Sequence, residues 1–548
     1  MPFLYYFPLT FQRIVMHWAD QLAEKIIERS QKEGVIANVK CQQTPSGAKH
    51  IGNLNDVARA YFPYKSVLEK GHKATFVHTT DDRDPLKDIP LKLPDLEGKW
   101  HYTKDLPDLT PHLGKPLFTV PDPFGCCKSW SVHFTKVWMD GVNLLGMHPE
   151  LHSVDALYRE GKFEPYIKTI FEKREIAGKL IASFQATKSQ DYIPFDAICQ
   201  NCGVLANVDS FNVNAHTVHY VCGGKAIKKK MSEGCGFEGE TDWKNGKLQW
   251  RFEWPALWGI FHTTYEPFGK DHFEGSWKSG IEIMKQIYNV EPPIPFVYEF
   301  FLVNGQKMSA SKGNVYVVQD MLKIMEPEAF LFYYVKRPEK QRDLELSRIW
   351  ALLDEFDAAE RVYFGKEQER TENREENTIR MYEMAVGKKP VEYARRISYS
   401  FGAYIIQLFN EDQCISILRR LSHVESDAEI SLAKMRLALA RNWINLYAPD
   451  DAKVHILNEG EANDKHASLA APLRDALREF GDYFDKEGNS DKQQGQINAI
   501  CQKNGISVQD FFKAAYLVFI GRERGPKLLP FLEVQKKDFV VKRLNGAG

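Results

Sequence analysis

The stretch between residues 35 and 70 constrains the fold of this chain most. Residues 35–39 form a short apolar run typical of a strand, and residues 54–70 have the spacing of a helix. The loop between them contains Thr44-Pro45-Ser46-Gly47-Ala48-Lys49-His50-Ile51-Gly52-Asn53. A strand, a glycine-containing loop and a helix form the unit that places anions at a helix N-terminus. This predicts an α/β domain with a nucleotide near His50 and Asn53; the alternative is a simple helix-capping turn.

A second loop has the composition of a polyphosphate site. It reads Lys307-Met308-Ser309-Ala310-Ser311-Lys312-Gly313-Asn314 and follows a strand-like run at 296–303. Ammonium groups supply charge, hydroxyls supply hydrogen bonds, and glycine lets backbone N–H groups approach. Taken alone, such a loop is more often a solvated turn. Together with the first loop, it predicts the other side of a nucleotide site.

Three further stretches suggest parts of a ligand pocket. The acidic loop 81–84 follows a predicted strand at 74–79, where loops of parallel sheets build ligand sites, although an Asx-type turn would look the same. Three tryptophans between residues 250 and 258 form either core or a pocket wall, and Glu253 beside Trp254 suits a cationic substrate. Gly269 and Asp271 suit the close approach of a ribose.

Four cysteines predict a structural zinc site. Cys199, Cys202, Cys222 and Cys235 lie close together, whereas the other cysteines are scattered. Two thiolate pairs close a tetrahedral site and leave no open position. His216 or His219 are alternative ligands, and a set of buried free cysteines is the alternative to metal. The pattern predicts a reducing compartment.

Composition narrows the class of protein. The 548 residues carry 72 basic and 73 acidic side chains, so a sequence-blind DNA-coating protein is disfavoured while a shape-specific RNA binder is not. A hydrophobic content of 43% is ordinary for a globular protein. There is no run of about 18 apolar residues, so no transmembrane helix is predicted.

The order of these features predicts several domains. Residues 1–15 form an N-terminal extension, and residues 16–125 the first half of a nucleotide-binding domain. An inserted domain at 126–248 carries the zinc module at 199–235. The second half of the catalytic domain lies at 249–319. Helical patterns then dominate, with a segment at 320–365 and an all-α domain at 366–548.

These motifs resemble those of a known enzyme family. The two loops resemble the paired "HIGH" and "KMSKS" motifs of class I aminoacyl-tRNA synthetases. The surrounding sequence resembles the class I lysyl-tRNA synthetases typical of archaea, and the match runs from Met16 nearly to the C-terminus. The stretches that carry it beyond the two loops are 16–20, 81–85, 121–125, 250–258 and 266–272.

The resemblance implies a Rossmann-like catalytic domain with a zinc-binding insertion and an all-α anticodon-binding domain. It implies ATP-dependent activation of L-lysine to lysyl-adenylate and transfer to the terminal adenosine of tRNA(Lys), with Mg²⁺ accompanying ATP. It further implies that residues 320–365 contact the tRNA stem. A cytoplasmic monomer that binds neither membrane nor DNA is expected.

The resemblance also implies roles for individual residues. Catalytic groups would be His50, Asn53, Lys307 and Lys312. The ATP-binding set would add Pro45, Ser46, Gly47, Gly52, Gly269, Asp271, Met308, Ser309 and Ser311. The lysine pocket would comprise Gln42, Thr44, Glu253, Trp254, His272 and Tyr298.

The chain departs from the family pattern at four positions. Asn53 replaces the second histidine of the first motif, as is common among the lysine enzymes. Ala310 replaces the inner lysine of the second motif, with Lys312 two places later. Gln42 and Glu253 stand where the family usually has glycine and aspartate.

Two alternatives stay open. A glutamyl enzyme of the same class would be expected to have an arginine in its pocket, whereas this chain has Glu253 and aromatic residues. A non-catalytic tRNA-binding paralogue is the second alternative. Retention of His50, Lys307 and Lys312 argues against it.

Overall fold

The computed structural model describes residues 16–185, 191–227, 230–232, 234–308, 314–336, 340–487, 493–525 and 527–546. These residues divide into two compact units. The first lies within Met1–Leu322, Glu326–Glu345 and Ala358–Lys389, and the second within Lys323–Met325, Leu346–Asp357 and Pro390–Gly548. No helix among the described residues is long and apolar enough to span a membrane.

A five-stranded parallel sheet forms the centre of the first unit. Its strands are β1 (Ala37–Gln43), β2 (Ala74–Thr80), β3 (Glu150–Ser153), β4 (Tyr265–Gly269) and β5 (Ile294–Tyr298). They lie side by side in the order β5-β4-β1-β2-β3. Most residues of β1 and β4 are buried, as expected for parallel strands covered on both faces.

The strand order reverses next to β1. The chain adds β2 and β3 on one side of β1, and then returns to add β4 and β5 on the other. In doubly wound sheets of this kind, ligands bind at the carboxyl ends of the strands at this switch point. β1 ends at Gln43 and β4 at Gly269, so the first predicted loop and the predicted ribose-contacting residues Gly269 and Asp271 follow the two strands at this point.

Helices flank the sheet and connect its strands. The first two are α1 (Trp18–Glu33) and α2 (Leu54–Glu69), and α2 follows a single turn of 3₁₀ helix at Ile51–Asn53. The remaining α-helices of six or more residues in this unit are Trp130–Leu144, Val154–Arg159, Glu164–Glu172, Arg174–Phe184, Trp250–Ile260, Lys278–Ile283, Pro327–Val335 and Glu372–Ala385.

An inserted module separates β3 from β4. Its antiparallel sheet contains Glu238–Asp242, Thr217–Val221, Leu205–Asn212, Phe195–Ile198 and Gly246–Leu248, in that order. One hydrophobic core joins this sheet to the helices between residues 154 and 184, with Trp243 and Tyr220 buried at its centre. The same core also contains Phe252, Ala256, Leu257, Ile283 and Ile287, so the insertion shares its core with residues 249–319.

The described part of the second unit contains helices and no strands. A buried ion pair joins Asp357, in the helix Ile349–Tyr363, to a later helix, since Arg436 Nη2 lies 2.6 Å from Asp357 Oδ1. The later helices are Tyr399–Leu408, Glu411–Arg420, Asp427–Leu446, Glu459–Ser468, Ala471–Glu487, Gln493–Lys503, Val508–Ile520, Leu528–Val534 and Lys537–Asn545. The predicted fold class, an α/β catalytic core followed by a helical C-terminal part, is confirmed.

Some predicted elements differ from those observed. The predicted strand at 296–303 is broken into β5 and Phe301–Val303, which pairs with Arg342–Leu344 in a separate small sheet. The polar, charged stretch 366–377 overlaps the helix Glu372–Ala385. That helix buries Tyr382, whose hydroxyl donates to Glu360, so packing overrides its charged composition.

Candidate active site

A cavity of about 560 Å³ opens at the switch point of the parallel sheet. Its walls come from the ends of β1, β4 and β5, from the start of α2 and from the two motif loops. The lining residues are Gln42, Gln43, Thr44, Lys49, His50, Gly52, Asn53, Asp56, Asp81, Asp84, Lys87, Trp250, Trp254, Glu266, Pro267, Phe268, Gly269, Asp271, His272, Tyr298, Phe300, Phe301, Lys307 and Met308.

The two motif loops meet across Gly52. A Cβ atom at this position would lie 2.9 Å from the His50 ring and 3.1 Å from Met308 Cε, so a larger residue would force the His50 ring to shift. Met308 is almost fully buried at this contact. The side chains of Asn53 and His50 belong to the same turn, because the His50 N–H donates to Asn53 Oδ1 at 3.2 Å. Residues 50–53 and 307–308 thus form one wall of the cavity.

His50 is a neutral imidazole at physiological pH. Burial, together with the ammonium groups of Lys49 and Lys307, lowers its pKa to about 4. Its Nδ1 is buried without a hydrogen-bond partner among the described residues. A neutral ring beside two ammonium groups is suited to contact an anion, because it adds a hydrogen-bonding group to their positive field.

Part of the cavity lining is acidic. Asp81 follows β2, and burial raises its pKa to about 8 with a further contribution from Asp84. Its Oδ1 is buried and accepts no hydrogen bond from the described residues, while Thr44 donates weakly to Oδ2 at 3.4 Å. Asp56, one turn into α2, accepts a hydrogen bond of 2.5 Å from Tyr298, and burial raises its pKa to about 7.

Aromatic rings form the third wall. Trp250 and Trp254 stack with their centroids 5.2 Å apart, and the His272 ring lies 5.7 Å from Trp254. Trp254 belongs to a buried cluster with Trp258, Phe268 and Trp277, which fixes its position. Such a wall binds the apolar stem of a side chain and attracts a cation over its faces.

A buried lysine pairs with two residues that line the cavity. Lys40 is fully buried in β1, and its ammonium lies 3.0 Å from Glu266 Oε1 and 2.6 Å from Gln42 Oε1. Trp254 and Trp258 also donate to Glu266. Glu266 is therefore neutralised within the protein, and Gln42 helps to hold the ammonium that neutralises it.

Glu253 does not line the cavity, contrary to the expectation for a residue that contacts a substrate ammonium. Its carboxylate accepts a hydrogen bond from Tyr158 at 2.8 Å and lies 3.0 Å from the ammonium of Lys247. Lys247 also pairs with Asp84 at 2.5 Å. The physical reason is that the helix Trp250–Ile260 turns Trp254 toward the cavity, and this places the preceding residue on another face.

The other predicted residues divide into three groups. The cavity is lined by His50, Gly52, Asn53, Gly269, Asp271, Lys307, Met308, Gln42, Thr44, Trp254, His272 and Tyr298. Pro45, Ser46 and Gly47 belong to the first loop but do not line the cavity. Ser309, Ser311 and Lys312 lie outside the described residues.

Sequence reasoning missed five polar residues that line the cavity, Gln43, Lys49, Asp56, Lys87 and Glu266, and also Lys40, which pairs with Glu266. Asp56 lies three residues after Asn53, so its place one turn into the helix could have revealed it. Lys49 lies inside the motif itself. The pairing of Lys40 with Glu266 depends on the neighbouring positions of β1 and β4, which no local pattern reveals. Asp81 and Asp84, by contrast, come from the acidic loop that the sequence indicated.

The four cysteines of the insertion come together as predicted. The Sγ atoms of Cys199 and Cys235 are 3.7 Å apart, and those of Cys202 and Cys222 are 3.6 Å apart. All four sulfur atoms lie within 4.8 Å of one another. Tetrahedral zinc with Zn–S bonds of about 2.3 Å separates its sulfur ligands by about 3.8 Å. The donor set and its geometry fit zinc.

A second group of metal-ligand side chains was not predicted. Asp122, Cys126, Cys127 and His133 present ligand atoms within 4.8 Å of one another. Asp122 already accepts the backbone N–H groups of Cys126 and Cys127, at 2.8 and 2.7 Å, which fixes its carboxylate. The mixed oxygen, sulfur and nitrogen set is also one that zinc accepts.

Comparisons with known proteins agree with this geometry. Residues 16–388 match the model of the family described as tRNA synthetases class I (K). The chain is 35% identical to a protein named lysine–tRNA ligase from Natronomonas pharaonis and 36% identical to one from Halobacterium salinarum, each over 97% of both chains. It is 33% identical to the lysine–tRNA ligase of Pyrococcus horikoshii, over 97% of this chain and 100% of that one.

Proposed function

The chain belongs to the class I (K) tRNA synthetase family, and from this premise we propose that it is a lysine–tRNA ligase. It activates L-lysine with ATP and transfers the lysyl group to the terminal adenosine of tRNA(Lys). The observation that carries this proposal is the meeting of the two motif loops at Gly52, in a cavity with acidic and aromatic walls.

The basic side of the cavity suits the phosphates of ATP. Lys307 and the neutral His50 belong to the wall formed by the two loops. Across the switch point, Gly269 leaves room for a ribose, because a Cβ there would lie 2.6 Å from Asp271 Oδ1. Asp271 would accept hydrogen bonds from the ribose hydroxyls. Mg²⁺ would enter with ATP and bridge its phosphates.

The acidic and aromatic sides suit lysine. Trp254 and Tyr298 would enclose the aliphatic stem, with His272 and Thr44 at its ends. Asp81 would receive an ammonium group, since it lines the cavity with a buried and unpaired oxygen. Glu266 is already neutralised by Lys40, so it is the weaker candidate for this contact. A carboxylate on the substrate would instead keep Asp56 and Asp81 protonated and would gain no charge-assisted contact from them.

The chemistry needs no covalent enzyme intermediate. The carboxylate of lysine attacks the α-phosphate of ATP, which releases pyrophosphate and leaves lysyl-adenylate. The 2′-hydroxyl of the terminal adenosine then takes the lysyl group and releases AMP. The residues of the cavity contribute by holding the reactants in line and by stabilising negative charge on the transferring phosphoryl group.

Other parts of the chain would serve the tRNA and the metal. The four cysteines of the insertion would hold one structural zinc ion, which fixes the end of the antiparallel sheet. The helical second unit would bind the anticodon region of tRNA(Lys), and residues 320–365 would contact the tRNA stem.

Amino-acid-dependent exchange of pyrophosphate into ATP tests this proposal, run with saturating tRNA and a panel of amino acids. The expected result is exchange with lysine and none with glutamate. Exchange with glutamate alone would identify the enzyme as a glutamyl synthetase. Binding of tRNA without exchange for any amino acid would instead identify a non-catalytic paralogue.

A further inference from the structure

Lys49 presents an unpaired ammonium group to the cavity. It directly precedes His50 and lines the cavity, with Nζ 3.4 Å from the hydroxyl of Ser46. No carboxylate lies within ion-pair distance of this ammonium among the described residues. Asp81, Asp56 and Asp84 act on this ammonium electrostatically, but none forms a direct ion pair with it among the described residues, so it is available to an anionic ligand.

The other lysines near the cavity show a different pattern. Lys87 lines the same cavity but pairs with Asp84 at 3.1 Å, and Lys40 pairs with Glu266. Lys307 lies over the ring of Phe300, 3.9 Å from its centroid. Lys49 and Lys307 therefore remain as the two cavity-lining ammonium groups without a carboxylate partner in the described structure.

These two ammonium groups act on the same imidazole. Both Lys49 and Lys307 lower the pKa of His50, and Lys49 has the larger effect. His50, Lys49 and Lys307 all line the same cavity, so an anion bound against these three residues would meet two ammonium groups and a neutral imidazole.

We propose that Lys49 is a further ATP-binding residue, whose ammonium contacts the polyphosphate of ATP together with Lys307. This inference rests on the proposed function, because it assigns ATP to this cavity. The contact strengthens as negative charge accumulates on the leaving pyrophosphate, so Lys49 contributes to the activation step as well as to ATP binding.

The charge of Lys49 predicts a pH dependence. Burial lowers its pKa to about 8, although Asp81, Asp56 and Asp84 raise it and Lys87 lowers it further. ATP binds the protonated form, so kcat/KM for ATP should fall as the pH rises through about 8 in the free enzyme. Arginine keeps its charge in this range. In the variant Lys49→Arg, kcat/KM for ATP should therefore not fall near pH 8. This basic limb of the pH profile should be absent even though Asp81 and His50 still face the same position.

The test is the KM for ATP in lysine-dependent pyrophosphate exchange, with saturating lysine and tRNA. Lys49→Met should raise this KM about tenfold or more at pH 7, as for loss of a charge-assisted hydrogen bond, and leave the KM for lysine within about twofold. Lys49→Arg should stay close to wild type at pH 7. Lys70→Met is the matched control, because Lys70 pairs with Glu24 at the far end of α2.

Two results would overturn the inference. One is a KM for ATP in Lys49→Met equal to that of Lys70→Met. The other is a basic limb near pH 8 that persists in Lys49→Arg, because the limb would then belong to another group such as Asp81. The dissociation constant for ATP alone, measured at equilibrium without lysine or tRNA, compares Lys49→Met with Lys70→Met in the same way. A wild-type protein that binds ATP through Lys49 but fails to exchange would count against the proposed function only.

Discussion

Among single residues, Asp81 illustrates a conflict between the stability of the fold and the binding of substrate. Its burial destabilises the fold, while its buried oxygen is available to a substrate ammonium. In the unfolded chain its carboxyl is ionised above its ordinary pKa of 3.8, whereas in the fold its pKa is raised to about 8. The folded state therefore holds a proton that the unfolded state releases. Its contribution to stability falls as the pH rises from about 4 toward 8. A bound ammonium would remove this penalty.

Replacing Asp81 by asparagine separates the two effects. Asp81→Asn should raise the KM for lysine about tenfold or more, since a charge-assisted contact is lost. At pH 7 its melting temperature should be unchanged or higher, because the group that resists burial is gone. Thermal unfolding and pyrophosphate exchange measure the two quantities on the same protein.

Asp82→Asn is the matched control. Asp82 accepts hydrogen bonds from the Ser153 hydroxyl and from the Asp155 backbone N–H, so its role is to hold the end of β3. This variant should lower the melting temperature and leave the KM for lysine near wild type. A lower melting temperature in Asp81→Asn, with an unchanged KM for lysine, would contradict the role given to Asp81.

Residue identity was predictable where a motif fixes it and unpredictable where partners come from elsewhere in the chain. His50, Gly52 and Met308 could be placed at one site because both loops carry recognisable patterns. Glu253 could not, because its pairing with Lys247 and Tyr158 depends on which face of a helix turns inward. The resemblance to class I synthetases predicted the chemistry. The structure showed that Asp81 has an oxygen without a hydrogen-bond partner among the described residues.

At the scale of elements, strand order brings the site together and packing sets the element boundaries. The βα unit at 35–70 predicted a parallel sheet, but the order β5-β4-β1-β2-β3 arises from contacts across an insertion of more than one hundred residues. The break after Tyr298 has a local cause, because the Phe301–Val303 strand pairs with Arg342–Leu344 instead of continuing in the main sheet. A hydrophobic run alone cannot show such a change of partner.

The cysteine module of the insertion should hold one zinc ion. Cys222→Ser removes one of four thiolates, so it should lower the zinc content by about one equivalent per chain and destabilise the insertion. Elemental analysis of the purified variants gives the count. Cys127→Ser tests the second cluster separately: a drop in that variant alone would assign an ion to Asp122, Cys126, Cys127 and His133. An unchanged metal content in Cys222→Ser would reject zinc in the module.

At the scale of the whole molecule, we propose that the first unit activates lysine and the second binds tRNA(Lys). The first contains the entire cavity, and the second is a separate bundle of helices with its own buried ion pair. Removing one partner of a buried ion pair costs about 3–5 kcal/mol. Arg436→Ala should therefore destabilise the second unit and raise the KM for tRNA. The KM values for ATP and lysine, measured at saturating tRNA, should stay unchanged.

Lys434→Ala is the control for that variant, because Lys434 lies on the same helix in an exposed ion pair with Glu411. Exposed pairs contribute about 0–1 kcal/mol, so its melting curve and its KM for tRNA should match the wild type. An Arg436→Ala protein with altered KM values for ATP and lysine, but a normal KM for tRNA, would argue against tRNA binding by the second unit.

We propose that the cavity activates lysine for transfer to tRNA. The most direct measurement is the charging of tRNA(Lys) by the purified full-length protein in the presence of ATP and all amino acids, with the product identified by mass spectrometry of the released 3′-terminal adenosine. We expect lysyl-adenosine as the single aminoacylated product. Aminoacyl-adenosine that carries glutamate would contradict this account. So would tRNA that binds tightly to the protein but remains uncharged.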